Sequence, residues 1–218
     1  AVRDLSQADL IAFYRNYYRA SNMSIAMMGD VTRAEAEAIA EQLASDLPRG
    51  EAPPPLPPVE VATAGKERVI PHPATQSHLF MGLPGLKRDD PEYFPLYVGN
   101  YVLGGGGFDS RLTDSVRQKK GLAYSVYSYF MPMSELGPFQ IGLQTRRDAT
   151  EEAVKTVREE LQRYLADGPS EAELTQAKNN LVGGFPLRID SNRKQLEYLS
   201  MMGFYRLPLD WLDTYSAR

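Results

Sequence analysis

The chain has 218 residues, 43% hydrophobic and 24% charged, with a formal net charge of −4. That length accommodates one large domain or one and a half small ones with a packed core, and the acidic excess argues against a nucleic-acid surface, which needs a basic patch. There is no cysteine, which excludes disulfide scaffolds and thiolate metal sites, and no apolar run approaches the ~18 residues of a membrane span.

Ala1 is not an initiator methionine and patterned sequence begins almost at once, so a fragment or processed form is expected, with any targeting signal upstream. Ser6 to Arg19 reads as a helix capped by Ser6, with Leu10, Phe13, Tyr14, Tyr17 and Tyr18 at helical spacing. Asn22 to Met28 is a short apolar run ending at Gly29-Asp30, which predicts a buried strand. Thr32 and Glu35 form a capping box that opens an alanine-rich helix to about Leu47. Pro48 to Pro58 then holds six prolines, each fixing φ and removing a donor, so an extended linker is expected.

Beyond the linker, Arg68–Ile70 and Gln76–Leu83 are strand candidates. Asp90-Pro91 starts a helix carrying Tyr93, Phe94, Tyr97 and Tyr101 toward Leu103. After four glycines, Phe108, Leu112 and Val116 mark another helix, with Lys119 and Lys120 in its last turn and Gly121 closing it. Leu122–Met133 and Pro138–Thr145 predict a hairpin turned by Ser134–Gly137. Helices follow from Thr150 to near Gly168, from the capping box Ser170/Glu173, and from about Ser191 to Tyr205. Strands followed by helices make an α+β pattern, an antiparallel-rich sheet with helices packed on one face.

The glycines Gly104, Gly105, Gly106 and Gly107 do not suit a phosphate loop. They follow a helix rather than a strand, no Gly-Lys-Ser/Thr comes after them, and Asp109 would set a negative charge where a phosphate sits. They either permit a tight helix-to-helix link or let a peptide approach bare backbone. Neither H-E-x-x-H nor H-x-x-E-H occurs. His72 and His78 are poorly spaced for chelation and have no accompanying carboxylate, so no metal site is expected. No Gly-x-Ser-x-Gly elbow appears. Arg117 near a helix end and Tyr124 at the start of the returning strand stand on either side of Gly121. They are either a salt-bridged arginine and a core tyrosine, or two donors aimed at one carbonyl oxygen or oxyanion.

The stretch VLGGGGFDSRLTDSVRQKKGLAYSVYSYF resembles the C-terminal half of the insulinase (pitrilysin) family of zinc metallopeptidases, which includes the mitochondrial processing peptidase. SQADLIAFYRNYYRASNMSIAMMGDV resembles the end of the preceding half, and LQTRRDATEEAVKTVREELQRYLADGPSEAELTQAKNNLVGGFPLRID the helical part after the hairpin, so nearly the whole chain matches in order. The resemblance implies a metallopeptidase-half (LuxS-like metallohydrolase) fold. Residues 1–47 would end the preceding half, 48–67 would be the linker, and 68–218 would be an inactive peptidase half truncated at its C-terminus. In such enzymes one half binds zinc through H-x-x-E-H, and the other carries an arginine–tyrosine pair that holds substrate backbone. Arg117 and Tyr124 match that pair, with Gly104–Gly107 at the cleft rim, and the zinc motif is missing here. The implied function is a non-catalytic, substrate-binding half or subunit of a zinc endopeptidase, whose zinc lies in an H-x-x-E-H-bearing partner and whose substrate is a peptide. A structural protein of the same fold is the alternative. Several such paired proteins are periplasmic, which favours that location by resemblance alone.

Overall fold

A computed structural model describes residues Val2–Ala217. The chain divides into two compact units, one formed by the residues up to Leu56 with Pro186–Tyr215, the other by Pro57–Phe185 with the residues from Ser216 on. The division falls inside the proline-rich stretch, and from Pro48 to His72 the chain carries neither helix nor strand. Pro186–Tyr215, expected with the domain beginning at position 68, group with the N-terminal segment.

In the first unit, α1 (Gln7–Tyr17) starts at Ser6, whose hydroxyl accepts from the Asp9 amide while the Asp9 carboxylate accepts from the Ser6 amide. Helix α2 (Arg33–Ala44) opens with the matching Thr32/Glu35 box. Asn22–Met28 is not a strand. Residues 23–28 form no ladder and are only partly covered. A strand is defined by its partner, and residues 23–28 pair with none among the described residues. Ser24 instead lies against Gly203 of α6 (Asn192–Tyr205), so closely that a side chain at position 203 would strike its hydroxyl. Trp211 is buried between Tyr198 and Tyr215, with ring centroids 6.1 Å from each.

The second unit is a three-stranded antiparallel sheet in the order β1-β3-β2, with helices against one face. Its strands are β1 (Gln76–Pro84), β2 (Ala123–Phe130) and β3 (Pro138–Arg146). The hairpin of β2 and β3 is as expected. Arg68–Ile70 is not a strand, and Val69 and Ile70 stand exposed. Phe139, Ile141, Leu143 and Thr145 alternate inward along β3, as period two requires. Helix α4 (Thr150–Asp167) meets that core with Ala153, Thr156, Val157 and Glu160, one stripe at helical spacing. Helix α3 (Tyr93–Asn100) continues as a π-type turn, Tyr101–Gly105, and α5 (Glu171–Gly184) opens with the Ser170/Glu173 capping box. Asn100 is buried but satisfied: its amide donates to the Ser128 carbonyl at 3.0 Å and its oxygen accepts from the Ser128 hydroxyl at 2.6 Å. Among the described residues no helix is long and apolar enough to cross a membrane.

Candidate functional site

Between α3 and β2 the chain makes one tight excursion. Gly104 is buried, and a Cβ there would collide with the hydroxyl and backbone nitrogen of Ser128. At Gly105 it would meet the Asn100 amide at 2.7 Å, and at Gly106 the Tyr101 carbonyl at 2.7 Å. These three positions are glycine because the π-type turn packs directly on its neighbours. Gly107 differs: it has φ +62° with open space around it, so the requirement there is a left-handed turn.

That turn changes the reading of Phe108. Sequence spacing put it on one helical face with Leu112 and Val116. Leu112 and Val116 are fully buried, but Phe108 is 65% exposed. It belongs to a short 3-10 turn, Gly107–Asp109, and Ser110 is extended (φ −85°, ψ 148°), so the helix starts afresh at Arg111 and Phe108 is out of its phase. Two hydrogen bonds fix the loop: the Ser110 hydroxyl donates to the Gly107 carbonyl at 2.8 Å, and the Gln118 amide donates to the Phe108 carbonyl at 3.1 Å.

From Arg111 the helix passes into a π-type segment, Thr113–Lys119. Such segments are rare and widen the helix by one residue per turn. Gly121, at φ +60°, ends it: its amide donates to the Arg117 carbonyl at 3.0 Å, and the Leu122 amide donates to the Val116 carbonyl at 2.9 Å. Strand β2 begins at once. Its register against β3 slips between Ala123, opposite Thr145, and Val126, opposite Leu143, so β2 holds one extra residue there. Ala123 and Val126 both point into the core, and the bulge turns Tyr124 outward, 84% exposed.

The two predicted residues thus meet across Gly121. The Arg117 guanidinium lies 4.9 Å from the centroid of the Tyr124 ring and 4.6 Å from that of Phe108. The tyrosine is not in the core and the arginine is not salt-bridged. Among the described residues no carboxylate or carbonyl takes a guanidinium N–H, and the Tyr124 hydroxyl has no hydrogen-bond partner. A planar cation stacked on aromatic faces keeps its donor edge free for an oxygen acceptor.

The neighbouring cations are engaged. Arg111 donates from Nε and one terminal nitrogen to both Glu173 oxygens, at 2.6 and 2.7 Å, and to the Gly168 carbonyl at 3.0 Å, while lying over the Tyr164 ring. The hydrogen bonds from Arg111, with those from Ser170, outweigh burial and hold the Glu173 carboxyl at about 2 instead of the ordinary 4.5. The same hydrogen bonding raises Arg111. Burial pushes the Tyr164 phenol up, and its hydroxyl donates to the Gly99 carbonyl at 2.8 Å. Lys119 pairs with Asp114 at 2.6 Å, and Lys120 donates to the Thr156 hydroxyl at 2.9 Å.

Among the described residues no three His, Asp or Glu side chains converge. His72 accepts from the Ala74 amide through Nδ1, and His78 stands opposite Gln144 on the open side of β1.

The model of the family described as the peptidase M16 inactive domain matches residues 4–181. An uncharacterized zinc protease of Streptomyces coelicolor is 32% identical over 184 residues, covering 82% of this chain and 40% of that protein. A Helicobacter pylori protein named as a non-peptidase homolog is 27% identical over 218 residues, covering 98% of this chain and 49% of its own length. The crystal structure of a peptidase M16 inactive domain from Pseudomonas fluorescens superposes with a TM-score of 0.89 at 41% identity, covering 98% of this chain and 50% of that one. The chain spans about half or less of the length of these curated relatives.

Proposed function

The chain belongs to the family of the peptidase M16 inactive domain, and from that premise we propose that it is the substrate-holding, non-catalytic half of a two-part zinc peptidase. A homologous half or subunit bearing H-x-x-E-H supplies the zinc and the hydrolytic chemistry, and this chain completes the peptide cleft. Residues 1–47 close the preceding half, and 48–67 join it to the inactive half.

The observation that carries this reading is Arg117, half-buried with its guanidinium over the Tyr124 ring and with no acceptor among the described residues. A peptide carbonyl is the acceptor that its N–H edge and the Tyr124 hydroxyl fit. Two donors converging on one oxygen hold an extended backbone whatever its side chains, and they bind more tightly as charge builds on that oxygen. The exposed backbone at Gly107 has open space around it, while Gly104, Gly105 and Gly106 serve packing.

The test is peptide cleavage with zinc, using the full-length protein alone and then with its H-x-x-E-H-bearing homologue from the same organism. Activity only in the mixture supports the proposal. In that mixture Arg117→Ala should lower kcat/KM by about a hundredfold, with an unchanged circular dichroism spectrum. Activity of the protein without the homologue would show a catalytic site elsewhere in it. A structural role without proteolysis is the second reading, favoured by the name of the Helicobacter pylori relative. Inactivity in both arms would select it.

A further inference from the structure

Phe108 stands out among the exposed apolar residues of the second unit because burial does not account for its position. Its backbone is set by the left-handed Gly107 and pinned on both sides, by Ser110 to Gly107 and by Gln118 to the Phe108 carbonyl. Its ring remains 65% exposed and faces the Arg117 guanidinium at 4.6 Å. Tyr124, the other ring over that guanidinium, is placed by an independent device, the β2 bulge. Gln118 follows Arg117 on the same helix, so the arginine and the anchor of the loop move as one body.

We infer that Phe108 is a positioning residue for Arg117, holding the guanidinium against Tyr124 so that its N–H edge is presented to a peptide carbonyl. The inference rests on the reading of Arg117 as a substrate-holding residue. An arginine side chain free in water occupies many rotamers, and a ligand that needs one of them meets a penalty for selecting it. A ring fixed on a rigid loop removes much of that penalty before substrate arrives. Each contact sets the guanidinium carbon over a ring, and none of its N–H groups takes an acceptor among the described residues. Phe108 touches no substrate atom in this scheme, and an aliphatic side chain of similar bulk does not replace it, because the attraction comes from the negative face of the ring.

Two measurements test this. The first is the Arg117 Nε–H resonance of the ¹⁵N-labelled chain, identified by its loss in Arg117→Lys. The ring current of Phe108 should shift it upfield; Phe108→Tyr should keep the shift and Phe108→Leu should diminish it. The second is peptide cleavage by the full-length protein with its zinc-bearing homologue. Phe108→Leu should raise KM roughly threefold to tenfold with kcat nearly unchanged, the mark of a lost pre-organisation term, and Phe108→Tyr should restore it. A Phe108→Leu enzyme with normal KM beside a crippled Arg117→Ala overturns this inference alone. An Arg117→Ala enzyme that cleaves normally overturns the substrate-holding reading and this inference with it. An unshifted resonance in the unaltered chain overturns it regardless of kinetics.

Discussion

Positions 111 and 117 lie on one helical run, and both are arginine. The first guanidinium is taken by both oxygens of Glu173 and by the Gly168 carbonyl; the second lies over two rings and has no hydrogen-bond acceptor among the described residues. Residue type and helical setting alone do not distinguish them. What distinguishes them is whether the fold itself supplies acceptors. Arg111 has spent its donors on tying its helix to α5, so its consequence is stability. Arg117 has no carboxylate or carbonyl acceptor among the described residues, so under the proposed function its consequence lies in what it can bind.

Substitutions can break or sharpen this contrast. Leu112 sits fully buried between the two ends, and Leu112→Ala should cost about 3–5 kcal/mol in a denaturant titration, disabling both arginines together. Next is Glu173→Gln, which leaves Arg111 half-partnered and should cost about 2 kcal/mol, while cleavage under folding conditions is unchanged. A loss of cleavage at unaltered stability would instead assign the Arg111 cluster to the site. The same variant has a pH signature. A carboxyl more acidic in the folded state stabilises the fold above the unfolded value of about 4.5, and that contribution is lost as pH falls from there through about 2. Stability should therefore drop through that window in the unaltered chain, and Glu173→Gln should remove about one proton from the slope. An unchanged slope would place the acid sensitivity elsewhere. The smallest effect is expected at Arg117 itself: Arg117→Ala should move stability by less than about 0.5 kcal/mol. A cost as large as that at Glu173 would mean the two arginines are alike.

Local chemistry that completes itself within a few residues was legible in advance. The boxes at Thr32/Glu35 and Ser170/Glu173 close over three residues, and each sits where its helix begins. The strands β2 and β3 join through a short loop, and their alternation needs no distant partner to be seen. Asn22–Met28 failed for the opposite reason. Apolarity announces a segment to be covered, but not whether a strand is available to cover it, and here an α-helical neighbour lies beside Ser24 instead. Helix α1 repeats the point: Leu10, Phe13 and Tyr14 recur at helical spacing, yet none of its residues is buried.

The α+β class, the breaks at Gly121 and in the proline-rich stretch, and the positions of Arg117 and Tyr124 on either side of that glycine can be read from the residues alone. These follow from φ limits, capping geometry and periodicity, which act between residues close in the chain. Packing between distant segments turns Tyr124 outward, takes Phe108 off the Leu112–Val116 face to meet Arg117, and gives a carboxylate to Arg111 and not to Arg117. Those outcomes depend on a one-residue slip against β3 and on a partner from α5. A bulge or a long-range ion pair is settled by which distant segments pack together, and no local pattern encodes it.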